Sequence, residues 1–194
     1  LPILSARTGW HTDELVRALS ARGHVALVVP YEGLVARLGM AAASGGGLTS
    51  ERAALLDSDA VLARIIPSGS LEQLIYRVDA LHWIEERGVP VMNSPRAIER
   101  CVDKFYTTAL VQEAGLPTPR TVVCERVDEA MAAVRAMGDV VIKPIFGSMG
   151  HGMTRVSDPD VAFRVVRALE QIRAVFYVQQ VVDHGGRDVR AFVV

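Results

Sequence analysis

Lys143 ends a short β-branched run, Val140-Val-Ile-Lys143, and is followed by Pro144 and then by three glycines within six residues, Gly147, Gly150 and Gly152. A strand that delivers one cation and then passes into backbone with few side chains has the chemistry of a phosphate cradle. Glycines admit positive φ and close approach, bare N–H groups donate to anionic oxygens, and the ammonium adds positive charge beside them. The spacing departs from the P-loop, which has Lys-Ser/Thr after its last glycine, and from the dinucleotide fingerprint, which needs an acid about 20 residues on. A glycine-rich hairpin turn whose strand end carries a solvated lysine has the same composition, so the stretch alone leaves both readings open.

The rest of the composition narrows the partner. Half of the 194 residues are hydrophobic, enough for one large or two small cores. The charged 22 % nearly cancels to a formal net charge of -1, so no global field points to nucleic acid or to an anionic membrane, and a small ligand is expected. Cys101 and Cys124 stand far apart and give neither a disulfide framework nor a zinc pairing, which fits a reducing, cytoplasmic setting. His11, His24, His82, His151 and His184 show no ligand spacing. No apolar run approaches the roughly 20 residues that span a bilayer, and the start has no secretory pattern. The sequence begins at Leu1 inside one apolar run and stops at Val194 inside another; both read as cuts through strands, so a portion of a longer protein is expected.

The elements that must position the lysine follow from periodicity. In the first half, Leu1–Leu4, Val25–Val29, Asp59–Ile66 and Val89–Met92 read as strands, with helices over about 12–22 and 71–86 between them. Strand and helix in alternation predict a parallel sheet covered by helices. Ala41–Gly47, with three glycines, reads as a flexible loop. His82 near the apolar face of the second helix reads as a satisfied structural histidine. A boundary is expected near Asn93-Ser-Pro95, where Ser94 caps a helix with proline at its first position.

In the second half, helices are expected over 95–101, 104–114 and 127–137 and after Asp158-Pro159. Strands are expected at Thr121–Cys124, Val140–Lys143, Met153–Val156, Ala174–Gln180 and Asp188–Val194, the last two joined by a turn at Asp183-His-Gly-Gly-Arg187. The fold class is therefore α/β, turning to α+β in the second half.

Five segments in one order then carry a family resemblance. They are Asp103-Lys104-Phe105, Ala114-Gly-Leu-Pro-Thr-Pro-Arg-Thr121, Val141-Ile-Lys-Pro-Ile-Phe-Gly-Ser-Met-Gly-His-Gly-Met153, Tyr177-Val-Gln-Gln180 and Arg187-Asp-Val-Arg190. Together they resemble the ATP-grasp superfamily and, within it, the RimK-type α-L-glutamate ligases. The Cys101–Thr108 stretch and the loop also resemble ligases that add glutamate to tetrahydromethanopterin-type pterins. The resemblance implies an N-terminal parallel-sheet domain over 1–94, an ATP-grasp small lobe over 95–175, and the start of a C-terminal lobe over 176–194, incomplete at its C-terminal side.

It also implies roles. Lys143 would hold the α and β phosphates of ATP, with Lys104 assisting. Gly147, Ser148, Met149, Gly150, His151 and Gly152 would form the loop that closes over them, chiefly through backbone donors. Gln180 and Val181 would be the hinge that reads adenine through backbone groups; the family commonly has glutamate where Gln180 stands, which puts only a side-chain contact in doubt. Asp188 would accept from ribose hydroxyls, and Arg190 would serve the acyl phosphate. The implied cofactors are ATP and Mg2+, with Mn2+ as a substitute, and the metal's ligands would lie past Val194, so no metal residue is assigned in this chain.

The implied reaction joins glutamate to a carboxylate-bearing acceptor: a pterin with a glutamyl side chain, a protein tail or a peptide. Nucleic acid and membrane are not expected as partners, and a homo-oligomer is. A regulatory module that binds ATP without catalysis, and an ATP-grasp ligase for another amino acid, share every motif quoted. Arg64, Arg77 and Asn93 stand near the ends of N-terminal elements where substrate contacts could arise.

Overall fold

The apolar runs of the first half become a parallel sheet in the first of two units. A computed structural model of the protein describes residues 1–147, 150–187, 189 and 191, the side chain of Ala42 excepted, and divides into Leu1–Arg100 and Cys101–Val194. The first unit contains β1 (Pro2–Leu4), α1 (Trp10–Ser20), β2 (Leu27–Val29), β3 (Leu34–Arg37), β4 (Gly47–Ser50), β5 (Ala53–Ala54), β6 (Val61–Ala63), α2 (Leu71–Glu86) and β7 (Val91–Met92). Helix α3 (Pro95–Val102) crosses the division.

Strands β2, β1, β6 and β7 form the parallel sheet in that order, with Leu4 opposite Val29 on one side and Ala63 on the other. Leu4, Val29, Val61, Leu81 and Ile84 are buried together, as a sheet covered by helices requires. Helix α2 starts where Ser70 and Gln73 cap each other reciprocally, a polar solution for N–H groups the helix cannot pair itself. Ser94 Oγ likewise accepts from the Ala97 N–H at 3.3 Å at the start of α3. His82 does have a partner, with Nε2 3.2 Å from Glu99 Oε1.

Two details differ from the sequence reading. Ala41–Gly47 is not simply loop: Ala42–Ser44 is a 3-10 turn and Gly47 opens β4, the middle strand of an antiparallel meander β3-β4-β5. Strands of two to four residues are too short to display a period, which is why the meander leaves no local signature. Val25, expected at the start of β2, is exposed and precedes the strand.

The second unit contains α4 (Lys104–Glu113), β8 (Thr121–Cys124), α5 (Val127–Met137), β9 (Val140–Lys143), β10 (Thr154–Val156), α6 (Pro159–Gln171) and β11 (Phe176–Gln180). Its sheet runs β10-β9-β11-β8, antiparallel throughout, so β11 is inserted between β8 and β9 although it comes last in the chain. Val140, Ile142, Phe176 and Val178 bury their side chains with Ala130, Val134, Ala162 and Val166 of α5 and α6. Strand period two then sends Val141, Lys143, Tyr177 and Gln179 to the opposite face. Of the expected last strand, Asp188, Arg190 and 192–194 lie outside the described residues. Among the described residues no helix is long and apolar enough to cross a membrane.

Candidate functional site

Register places the chemistry on the face of the second sheet away from α5 and α6. Lys143 on β9 lies directly opposite Tyr177 on β11, and Gln179 lies between Val141 of β9 and Thr121 of β8. Lys143 Nζ donates to Gln179 Oε1 at 2.6 Å and sits 5.8 Å from the centroid of the Tyr177 ring. The amide is fixed from its other end: Gln179 Nε2 donates to Thr121 Oγ1 at 2.9 Å and to Tyr177 Oη at 3.1 Å. Tyr177 Oη and Thr108 Oγ1 share a hydrogen bond of 2.7 Å, which ties the sheet to α4. With Nε2 committed to two oxygens, Oε1 is the atom left to face the ammonium.

Lys104 enters from the first turn of α4, which Asp103 caps by accepting from the Tyr106 N–H at 2.9 Å. Its Nζ donates to the carbonyl oxygens of Gly147 at 2.8 Å and Ile145 at 3.3 Å, and its backbone N–H donates to Ile145 O at 3.2 Å. The ammonium thus anchors the base of the glycine loop and retains one N–H. The loop then runs back through Gly150 and Gly152, both at φ 75, into β10, which pairs with β9 from Thr154 opposite Ile142. A left-handed φ at both positions favours residues without Cβ. His151 between them is exposed.

Both ammonium groups are electrostatically uncomfortable. Burial pushes Lys143 below the usual lysine range, and the nearby charge of Lys104 pushes it further. Burial lowers Lys104 too, with Asp103 working in the other direction. Among the described residues neither forms an ion pair with a carboxylate. Two half-buried cations with no carboxylate ion pair among the described residues cost solvation energy, which an anionic ligand would offset.

The sequence-predicted residues therefore fall in three groups. Lys104 reaches Gly147 through its hydrogen bond and lies close enough to Lys143 for their charges to act on each other, with Gly150, His151 and Gly152 on the same hairpin. Gln180 and Val181 are half-buried at the end of β11, where their N–H groups donate to Arg120 O at 2.9 Å and Asp139 O at 3.0 Å. Both amides are thus engaged within the fold. Ser148, Met149, Asp188 and Arg190 lie outside the described residues. Among the described residues no group of three or more His, Cys, Asp or Glu side chains could hold a metal ion.

In the first unit, Arg77 is buried and clamps a loop, donating from Nη1 to Pro67 O at 2.8 Å. Arg64 follows β6 and is half-buried, and Asn93 follows β7 and is exposed. Sequence reasoning did not find Thr108, Thr121, Tyr177 or Gln179 as site residues. The signal available was alternation in Phe176-Tyr-Val-Gln-Gln180: with Phe176 and Val178 inward, Tyr177 and Gln179 share the other face.

An antiparallel sheet with a lysine strand, a glycine hairpin and a second lysine from a preceding helix has the form of an ATP-grasp fold. Residues 101–194 match the RimK-like ATP-grasp domain. The chain is 33 % identical over 204 residues to the tetrahydromethanopterin:α-L-glutamate ligase of Methanosarcina acetivorans, covering 95 % of this chain and 61 % of that protein. The ligase of the same description from Methanococcus maripaludis is 28 % identical over 197 residues, covering 99 % of this chain and 65 % of the relative. The chain thus spans a little under two thirds of the length of these two relatives. Among solved structures, a RimK domain ATP-grasp protein from Sphaerobacter thermophilus superposes with a TM-score of 0.75 at 23 % identity, covering 94 % of this chain and 63 % of that one. At that identity the likeness establishes the fold.

Proposed function

We propose that the protein is an ATP-dependent carboxylate–amine ligase. ATP would transfer its terminal phosphoryl group to a carboxylate, an amine would attack the acyl phosphate, and amide, ADP and phosphate would leave. Phosphoryl transfer of this kind depends on positioning and on neutralising developing charge. Lys143, oriented by Gln179 and Tyr177, would hold the nucleotide's phosphates, with the remaining N–H of Lys104 beside it. The loop from Gly147 to Gly152, with Ser148, Met149 and His151, would cover the phosphates with backbone donors.

Gln180 and Val181 would flank the adenine, Asp188 would accept from the ribose, and Arg190 would face the acyl phosphate. Magnesium, with manganese as a substitute, is expected with the nucleotide, although the described residues contain no cluster to hold it. One observation carries the reading: two half-buried ammonium groups, neither in an ion pair with a carboxylate among the described residues, stand at the root of a glycine hairpin.

Glutamate is the proposed amine, because the ligases at 33 % and 28 % identity are described as α-L-glutamate ligases. The proposed acceptor bears a carboxylate on a pterin, protein tail or peptide. Full-length protein incubated with ATP, magnesium, labelled glutamate and a carboxylate-bearing pterin is expected to incorporate label and release ADP stoichiometrically. Nucleotide binding without ADP release under any acceptor would favour a regulatory module instead. Incorporation of another amino acid but not glutamate would reject the glutamate assignment.

A further inference from the structure

A cavity of about 320 Å³ opens in the first unit where β1 and β6 end, with Ser5, Arg7, Thr8, Trp10, Arg64 and Ile65 among its lining residues. The chain leaves these two adjacent strands in opposite directions, from β1 through α1 to β2 and from β6 through α2 to β7. Parallel sheets open a crevice at such a reversal, beyond the carboxyl ends of the strands. The walls are built: Ala6 N–H donates to Ile65 O at 2.9 Å, Arg64 N–H to Leu4 O at 2.8 Å, and Ser5 Oγ to Arg7 O at 2.8 Å.

The lining is cationic and one-sided. Arg64 is half-buried, and among the described residues neither its guanidinium nor that of Arg7 has a hydrogen bond or ion pair. Among the described residues no aspartate or glutamate lines the cavity. Beside them Trp10 is 71 % exposed, an unusual state for the largest apolar side chain, which gives the cavity a flat aromatic wall. Two free planar guanidinium groups suit bidentate carboxylate recognition, and an exposed indole suits the face of a ring.

We propose that this cavity binds a molecule combining a flat ring with a carboxylate, the carboxylate on Arg7 and Arg64 and the ring on Trp10. Its assignment as the acceptor site rests on the ligase reading above; the binding itself does not.

Calorimetry on the full-length protein tests it with three probes. Folate carries a flat pterin and two carboxylates, biopterin the ring without a carboxylate, and glutarate the carboxylates without a ring. Folate is expected to bind saturably and more tightly than either of the others. Arg64→Ala should weaken folate about ten- to a hundredfold, as loss of a hydrogen bond to a charged group does. Trp10→Ala should also weaken folate while leaving glutarate unchanged. Arg64→Lys, which keeps the charge, is expected to fall between wild type and alanine, and it carries the test with Arg7→Ala if Arg64→Ala fails to fold in a thermal melt.

Absence of saturable folate binding, equal affinity in the arginine variants, or glutarate binding as tightly as folate would each overturn the proposal. A non-hydrolysable ATP analogue titrated in parallel separates the two readings. Analogue binding without folate binding leaves the ligase and removes this site; folate binding without analogue binding does the reverse.

Discussion

Replacing Gln179 by glutamate tests how the lysine site handles charge. Gln179 is a neutral acceptor 2.6 Å from Lys143 Nζ, held in place by Thr121 and Tyr177. Glutamate has nearly the same shape and keeps a contact with the ammonium, but it puts a negative charge where the proposed site would receive a phosphate. Two oxygens on one ammonium lie roughly 4 Å apart or more, and unit charges at about 4 Å interact by about 4 kcal/mol at an effective dielectric of about 20. Solvent on the open side of the sheet reduces this, so a loss of about 2 kcal/mol is expected, about 30-fold in affinity. The assay is titration of full-length protein with a non-hydrolysable ATP analogue, with thermal melts to show that the variant folds. The loss should shrink as pH falls and the new carboxylate protonates. Equal or tighter nucleotide binding by Gln179→Glu at neutral pH would refute the assignment of Lys143 to phosphate.

Other consequences are direct. Lys143→Ala is expected to abolish or nearly abolish binding of the ATP analogue, whereas Lys104→Ala should weaken it and loosen the loop, read as faster amide exchange at Gly150 to Met153. Lys143 and Lys104 both titrate below 10.5 in the folded state, chiefly through burial. As pH rises toward 10.5, the folded protein therefore sheds these protons before the unfolded chain does. The two lysines thus add to stability with rising pH in that window, while nucleotide affinity falls, and melts with and without the ATP analogue should diverge in sign. Phe176 is fully buried, and Phe176→Ala should cost about 3–5 kcal/mol in urea unfolding.

Residue type and order carried much of this arrangement. Lys143 before a glycine hairpin stood out by residue type, whereas Lys104 entered only through the family resemblance; its ammonium lies on the carbonyls at the base of that hairpin. The parallel sheet was legible from alternating runs and helices. Gln179 was not, because a polar residue on a strand's outer face has the same pattern whether it faces solvent or a lysine. Its partner is 36 residues away, and only the pairing of β9 with β11 joins them. Arg77 differs again: offered as a place for substrate contacts, it is buried with its guanidinium donating to the Pro67 carbonyl, a partner ten residues away that no local pattern marks. The meander β3-β4-β5 was missed because its strands are shorter than the period that would reveal them.

The late strand at the sheet's centre also imposes an order on synthesis. Strand β9 and its hairpin partner emerge from the ribosome well before Phe176–Gln180, yet the gap between β8 and β9 is filled only by that last segment. Until then Ile142 and Val140 lack half of their packing, and Lys143 has neither the Tyr177 ring nor the Gln179 amide beside it. A nascent chain that has not yet released residues 176–180 should thus carry β9 and β10 as a hairpin without its central partner, and Lys143 should gain its two neighbours only when β11 inserts.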